Sequence, residues 1–97
     1  MKVFAIGTAN GQFSPETSAK YMPAEVPATL QLYLDGKMEQ FWFRTDRPGV
    51  VFLMEAETLD QAKDAIRALP LASAGLLTFE YLPVGPLAPL GMLLQGR

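Results

Sequence analysis

Hydrophobic and polar positions divide the chain into six segments, in the order strand, helix, strand, strand, helix, strand. Short apolar runs rich in β-branched and aromatic residues predict the four strands. Apolar residues repeated at intervals of three and four predict the two helices. This order, with right-handed crossovers, places both helices on one face of a four-stranded antiparallel sheet, so the predicted fold class is α+β and ferredoxin-like. The predicted strands cover residues 2–8, 38–44, 50–54 and 76–82.

The first predicted helix begins after Ser14, which suits the N-cap and is followed by proline at the first helical position. Pro23 and Pro27 each remove a backbone donor inside this helix. The pattern therefore allows either a kinked helix over about 15–35 or a helix that is firm only from about 24. Gly36 suits the left-handed position that ends a helix. We expect one apolar stripe of this helix to lie in the core, made of Ala19, Met22, Val26, Leu30 and Tyr33.

The second and third predicted strands carry apolar side chains on both faces, as in the Phe-Trp-Phe run at 41–43. The Arg-Pro-Gly segment at 47–49 suits a type II turn and joins the two strands as a hairpin. Because two helices cover only one face of the sheet, a second body must bury the other face. A second copy placed sheet to sheet, closing a two-chain barrel, is the simplest solution. We therefore expect a homodimer, or a larger assembly built from it.

The second helix is predicted to begin at Thr58, which forms a capping box with Gln61, and to end at Pro70. Proline, glycine and leucine alternate beyond the last strand. The sequence thus predicts a ferredoxin-like domain over 1–83 and a Pro/Gly/Leu-rich C-terminal arm over 84–97. We expect this arm to pack on its own chain or on a neighbouring one.

Composition and charge exclude several kinds of partner and chemistry. Hydrophobic residues make up 49% of the 97 residues and charged residues only 19%, which favours a partner over part of the surface. The net charge of −2, with basic residues spread along the chain, argues against nucleic acid as a partner. The chain has no cysteine and no histidine, which removes thiolate chemistry, the usual metal ligands and the commonest base near neutral pH. No metal and no cofactor is predicted.

No apolar run approaches the ~20 residues of a membrane span. The N-terminus is strand-like and lacks the pattern of a signal peptide. We therefore expect no membrane partner and a cytoplasmic protein.

Three features at fixed spacing carry a family resemblance. Glu25 lies eleven residues before Gly36, Trp42 lies six residues after it, and a Leu-Pro-Leu segment at 69–71 precedes the last predicted strand. In this order the chain resembles the muconolactone isomerase-like family of the dimeric α+β barrel superfamily, over about 15–86. The resemblance implies the ferredoxin-like fold, a dimeric barrel and an intramolecular proton shift as the reaction. The segments 36–40, 48–52 and 82–91 also resemble a second branch of such proteins.

The chain departs from the isomerase pattern beside its tryptophan. An Arg-His pair precedes that tryptophan in the isomerase, whereas Glu39 and Gln40 stand at the matching positions here. Glu25 and Trp42 carry over as matching positions, and the basic pair does not.

Two residues are the predicted catalytic groups. Glu25 is a candidate for the base that takes and returns a proton in a 1,3-proton shift; the alternative is a solvated helix carboxylate. Arg44 is a candidate clamp for a substrate carboxylate; the alternative is an ion pair at the strand end or at an interface. The expected ligand is a small apolar or carboxylated molecule.

Period-2 alternation assigns faces to the strand residues. Gln40, Trp42 and Arg44 share one face of the second strand, and Thr78 and Glu80 share one face of the last. Such mixed faces suit a barrel interior or dimer interface, and an apolar cavity with few polar groups is typical of a small-molecule site. We therefore predict substrate-binding roles for Gln40, Trp42, Thr78 and Glu80. Trp42 is alternatively core or interface, and Glu80 the ion-pair partner of Arg44. The opposite face of the second strand is predicted to carry Glu39, Phe41 and Phe43.

Three functions remain in competition. The first is a small-molecule isomerase or proton-transfer enzyme acting in the pocket of a dimeric barrel. The second is a non-catalytic small-ligand-binding or assembly module of the same fold, which the missing Arg-His pair favours. The third is an RNA-binding sheet, since that fold shares the strand order, but its aromatic signature and basic surface are absent.

Overall fold

A computed structural model describes residues 1–86 of the chain and confirms the predicted β-α-β-β-α-β order. One short helix, α3, is added between the second helix and the last strand. Val84, the first residue of the predicted C-terminal arm, closes the last strand, and 87–97 lie outside the described residues. The elements are β1 (Lys2–Ala9), α1 (Pro15–Leu34), β2 (Met38–Phe43), β3 (Gly49–Glu55), α2 (Leu59–Arg67), α3 (Pro70–Ser73) and β4 (Leu77–Val84).

The four strands form one antiparallel sheet in the order β2-β3-β1-β4. Ala5, on the central strand β1, lies opposite Phe52 of β3 and Tyr81 of β4. Pro83, one residue beyond the predicted end of the last strand, lies inside β4 opposite Val3. An edge strand tolerates proline because the missing N–H would point away from the sheet.

Alternate residues of the sheet face the helices and form the core. Val3 and Ala5 are fully buried, as is Ile66 of α2, and Met54 is only 1% exposed. Residues of α1 pack against the same cluster, so both long helices lie on one face as predicted. Burying a side chain as large as Ile66 contributes about 1.5–3 kcal/mol to folding.

The other face of the sheet is covered by no helix among residues 1–86. Its row includes Phe4 and Ile6 of β1, Leu53 of β3 and Leu82 of β4, the last 53% exposed. We call this surface the open face. It is the surface that the sequence assigned to a barrel interior or a dimer interface.

Helix α1 runs unbroken from Pro15 to Leu34 through both internal prolines, so the late start at about residue 24 is wrong and the longer of the two predicted ranges is right. Both prolines are exposed, and water can bond the carbonyls they leave unpaired. Ser14 caps the helix reciprocally with Thr17. At the other end Gly36 has a φ of 77°, and the Lys37 N–H donates to the Leu32 carbonyl at 2.9 Å. These contacts form a Schellman motif, as the glycine predicted.

The predicted core stripe of α1 is wrong. Val26, Leu30 and Tyr33 are 56%, 49% and 45% exposed. The buried residue of this helix is Glu25, with Leu32 packed partly against the core. The helix is rotated so that its most apolar stripe borders a cleft instead of the core.

Two local predictions for the β2–β3 hairpin also need correction. Gly49 has a φ of 159° and begins β3 in extended backbone, so it does not take the left-handed position of a type II turn. The register shifts between Met38 and Gln40, which makes Glu39 the extra residue of a β-bulge. Glu39 therefore reaches Lys2, a residue of the open face, instead of sharing a face with Phe41.

Candidate functional site

A cavity of about 710 Å³ lies between α1 and the helix-bearing face of the sheet. Exposed apolar side chains on α1 and β2 border it, including Val26, Leu30 and Phe43, so it opens to solvent along the gap between these two elements. Its size is within the range of small-molecule sites. The walls are Ala9, Phe13, Ser18, Met22, Glu25, Val26, Thr29, Leu30, Phe41, Trp42, Phe43, Arg44, Pro48, Gly49, Val50, Phe52, Leu71 and Leu77.

Glu25 is the buried carboxylate of this cavity, with only 6% of its surface exposed. Its Oε1 accepts a hydrogen bond from the Leu71 N–H at 2.8 Å, and its Oε2 accepts one from the Thr29 hydroxyl at 2.9 Å. The alternative of a solvated helix carboxylate is therefore wrong. Each carboxylate oxygen has two acceptor positions, so each can accept one further hydrogen bond.

The Leu-Pro-Leu segment explains why Glu25 is needed there. Pro70 opens α3, and Leu69 at the N-cap supplies no side-chain bond. The Leu71 N–H, in the first turn, has no partner within such a short helix. The carboxylate of α1 caps α3 from a distance of 46 residues along the chain. Two of the features that carried the family resemblance are thus in direct contact.

Arg44 is held in an ion pair, as one of its two predicted roles required. Its Nε and Nη2 donate to the two carboxylate oxygens of Asp46 at 2.9 and 2.7 Å, and its Nη1 donates to the Thr8 hydroxyl at 2.7 Å. These hydrogen bonds from Arg44 lower the pKa of Asp46 to about 2, and those to Asp46 raise the pKa of Arg44. Glu80 is not the bonded partner, so that predicted pairing is wrong.

The predicted substrate-binding residues do not all meet. Trp42 borders the cavity from the edge strand β2 and is 46% exposed, but it lies opposite Val51, in a row of the open face. Gln40 lies opposite Leu53, Thr78 opposite Thr8 and Glu80 opposite Ile6, all in the rows of the open face. The sheet separates these three residues from Glu25, because alternate residues of a strand point to opposite faces.

The charged end of the open face has a structural explanation. Lys2 donates a hydrogen bond to Glu39, and its Nζ lies 3.1 Å from Oε2 of Glu55. The other carboxylate oxygen of Glu55, Oε1, accepts a hydrogen bond from the N-terminal amine at 3.2 Å. The Lys2 hydrogen bond is the largest cause that lowers the pKa of Glu55. Glu55 therefore joins the N-terminus and Lys2 in one cluster of charges at the end of the strands.

Sequence reasoning missed part of the α1 wall. Ser18, Met22, Glu25 and Thr29 all line the cavity, and their intervals of four, three and four residues are those of one helix face. This second stripe is less apolar than the one we predicted to be buried, and its polar residues are the available signal of a site.

Two further observations concern residues 1–86. No helix among them is long and apolar enough to cross a membrane. No three acidic side chains in this part of the chain come together as metal ligands.

Solved structures with a similar fold include a dehydrochlorinase and an isomerase. One is a 5-chloro-2-hydroxyhydroquinone dehydrochlorinase from Burkholderia phenoliruptrix in complex with 2,5-dihydroxybenzoquinone; it matches with a TM-score of 0.72 and 17% identity, covering 88% of this chain and 94% of that one. The other is a muconolactone isomerase, with a TM-score of 0.72 and 14% identity, covering 89% of this chain and 90% of that one.

Sequence comparison adds no closer relationship. No protein-family model matches the chain, and no curated protein is similar to it in sequence. At 14–17% identity the structural matches establish the fold. The chain therefore has the ferredoxin-like fold of muconolactone isomerase and its structural relatives, as its sequence resemblance predicted.

Proposed function

We propose that this chain is a small-molecule isomerase or related proton-transfer enzyme that binds its substrate in the cavity between α1 and the sheet. The observation that carries the proposal is Glu25, a buried carboxylate oriented by Thr29 and the Leu71 N–H against apolar walls. A general base must be held in one position relative to its substrate. Glutamate is rarely buried unless its carboxylate is paired, and Glu25 is held by two donors at the wall of a cavity.

The reaction class follows from having one such group. In a 1,3-proton shift the carboxylate takes a proton from one carbon as the double bond moves, and the resulting carboxylic acid returns a proton to the carbon two positions away. Atoms and charge balance without a second catalytic residue. The Thr29 and Leu71 donors hold the carboxylate in place throughout this exchange.

The structural matches support a small-molecule role. One is an isomerase and the other a dehydrochlorinase solved with a quinone in place. Both are assigned to small cyclic molecules by their names, and a 710 Å³ apolar cavity accommodates molecules of that kind.

A homodimer is part of the proposal. The open face presents Phe4, Ile6, Leu53 and Leu82, and a second copy placed sheet to sheet would bury them. Replacing Leu53 with lysine puts a charge in this face and should convert the dimer to a monomer in size-exclusion chromatography with light scattering. Ala24→Lys, on the exposed side of α1, is the matched control and should leave the mass unchanged. A monomeric wild-type chain would refute the sheet-to-sheet dimer.

Deuterium incorporation tests the proton transfer. Unsaturated lactones and cyclic enones are incubated with the protein in D₂O, and exchange at the acidic carbon is followed by proton NMR. We expect catalysed exchange for at least one compound, and a loss of at least 100-fold in Glu25→Gln. Glu57→Gln, at an exposed glutamate outside the cavity, should keep the wild-type rate.

A non-catalytic binding module is the second candidate, and one observation favours it. Glu25 already has a structural role as the cap of α3, and Arg44 is occupied by Asp46. Under this alternative the cavity binds ligands but the whole panel shows no catalysed exchange. That result would overturn the enzymatic proposal.

A further inference from the structure

The opening of the cavity is apolar, whereas its buried carboxylate lies inside. Val26 and Leu30 of α1 and Phe41 and Phe43 of β2 line the cavity and are also 49–82% exposed; we call these four residues the rim. We infer that the substrate carries an unbranched apolar chain, which leaves the cavity between α1 and β2 and packs on the rim. The inference deepens the proposed function by naming a substrate class, and it rests on that function only in using the same cavity.

Two neighbouring stripes of α1 give the cavity this polarity. Glu25 and Thr29 lie on one stripe, and Val26 and Leu30 lie on the next, turned by about 100° because one turn takes 3.6 residues. Glu25 is bonded to the Leu71 N–H of α3 and is only 6% exposed, so its stripe lies inside the cavity. The half-exposed stripe lies at the opening. A ligand that reaches from Glu25 to the opening therefore ends among apolar side chains.

The rim lacks the polar side chains that normally cover an exposed surface. Residues 26–34 and 40–43 include no charged side chain, although the exposed face of a helix is usually polar. The Phe41 ring is held against α1 by an edge-to-face contact with Tyr33, with 5.6 Å between the ring centroids and 80° between the planes. Large apolar side chains grouped around one opening form a patch that favours an apolar occupant.

Continuity with the cavity identifies that occupant as part of the ligand. Each rim residue lines the cavity, whereas Leu34, farther along α1 and 70% exposed, does not. At water's share of ~30 Å³ per non-hydrogen atom, the 710 Å³ cavity has room for on the order of 20 such atoms. A single ring fills only part of this space. A chain attached to the ring uses the remainder and continues directly onto the rim.

A homologous series of saturated γ-lactones with methyl, propyl, pentyl and heptyl side chains tests the inference. Without a ring double bond these lactones cannot undergo the 1,3-proton shift, so binding is measured apart from catalysis. Burying one methylene completely raises affinity about fourfold, and a partly exposed rim should give about half that factor. Isothermal titration calorimetry should therefore show the heptyl lactone binding at least tenfold more tightly than the methyl lactone. Constant or falling affinity along the series, or no binding of any homologue, would overturn the inference.

Variants of the rim and a matched control locate the chain. Leu30→Ser and Phe43→Ser make the rim more polar, and each should lower the ratio of heptyl to methyl affinity at least threefold. Leu34→Ser removes an even more exposed leucine from the same helix outside the cavity, and should keep the wild-type ratio. The inference would be overturned if neither rim variant lowered the ratio while remaining folded by circular dichroism. It would also be overturned if Leu34→Ser lowered the ratio as much as Leu30→Ser.

This binding experiment and the deuterium experiment fail independently. A gain in affinity with chain length that depends on the rim, without any catalysed exchange, would leave the ligand class standing and remove the enzyme. Catalysed exchange without any preference for longer chains would do the reverse.

Discussion

Replacing Glu25 with alanine tests whether this carboxylate holds α3 against α1. The substitution removes the acceptor of the Leu71 N–H and of the Thr29 hydroxyl. Leu71 is only 6% exposed, so its N–H would be left buried without a partner. Nothing else in the first turn of α3 replaces that acceptor, because Leu69 forms no side-chain cap.

The expected loss follows from these two contacts. Leaving a buried donor unsatisfied is unfavourable by about 1–3 kcal/mol, and loss of a helix cap typically destabilises by ~1 kcal/mol. The two figures overlap because they describe the same N–H. We therefore expect Glu25→Ala to lower the free energy of unfolding by about 2–3 kcal/mol. Thr29→Val removes one hydrogen bond but leaves the cap, and should cost about 1 kcal/mol.

Urea denaturation followed by circular dichroism measures these differences at fixed protein concentration. Glu57→Ala is the control, an exposed glutamate whose loss should change stability by less than about 0.5 kcal/mol. If Glu25→Ala unfolded within 0.5 kcal/mol of wild type, the carboxylate would not be the cap of α3. If Thr29→Val were as damaging as Glu25→Ala, the Leu71 contact would not be the dominant one.

Three further predictions concern the sheet, the ion pair and the core. Gly49→Ala should destabilise by about 3 kcal/mol in urea denaturation, because its added Cβ would lie 2.1 Å from the Gly7 carbonyl oxygen; wild-type stability would contradict this packing. Arg44 lowers the pKa of Asp46 to about 2 from an ordinary 3.8. The ion pair therefore stabilises the fold at pH values above 3.8, and this stabilisation is lost as the pH falls through about 2. The stability difference between wild type and Asp46→Asn, measured by urea denaturation from pH 7 to 2, should shrink on acidification, and a constant difference would refute this. Ile66→Ala should lower the free energy of unfolding by about 2–5 kcal/mol, since Ile66 is fully buried; a loss below 1 kcal/mol would place it outside the core.

Local signals predicted the order and ends of the elements. Ser14 caps α1, Thr58 caps α2 and Gly36 adopts the left-handed conformation at the end of α1. Each of these depends on groups within a few residues of one another. Such short-range hydrogen bonds can be recognised from sequence alone.

The orientation of α1 depends on distant groups and could not be predicted in the same way. Glu25 is buried because its partner is the Leu71 N–H, 46 residues later. The apolar Val26 and Leu30 are exposed because they border a cavity. One side of α1 contacts the core and another side lines the cavity, so the helix has two different stripes. Choosing the more apolar stripe as the core gave the wrong orientation.

The predicted site combined residues from both faces of the sheet for a related reason. Alternation correctly grouped Gln40 with Trp42 and Thr78 with Glu80, but Glu25 on a helix reaches only the opposite face. The bulge at Glu39 reversed the face of that residue, and no composition signal marks it. Arg44 and Asp46, by contrast, are two residues apart, and their ion pair could have been anticipated from the sequence.

The contact between Glu25 and Leu71 constrains how such a chain can diverge. A substitution that removed the carboxylate would loosen α3, whatever the cavity binds. Val26, Leu30 and Phe43 are 49–82% exposed and contribute little to folding, so they can be exchanged freely. New specificities in this scaffold should therefore evolve through the rim of the cavity, while the carboxylate at its base is inherited unchanged.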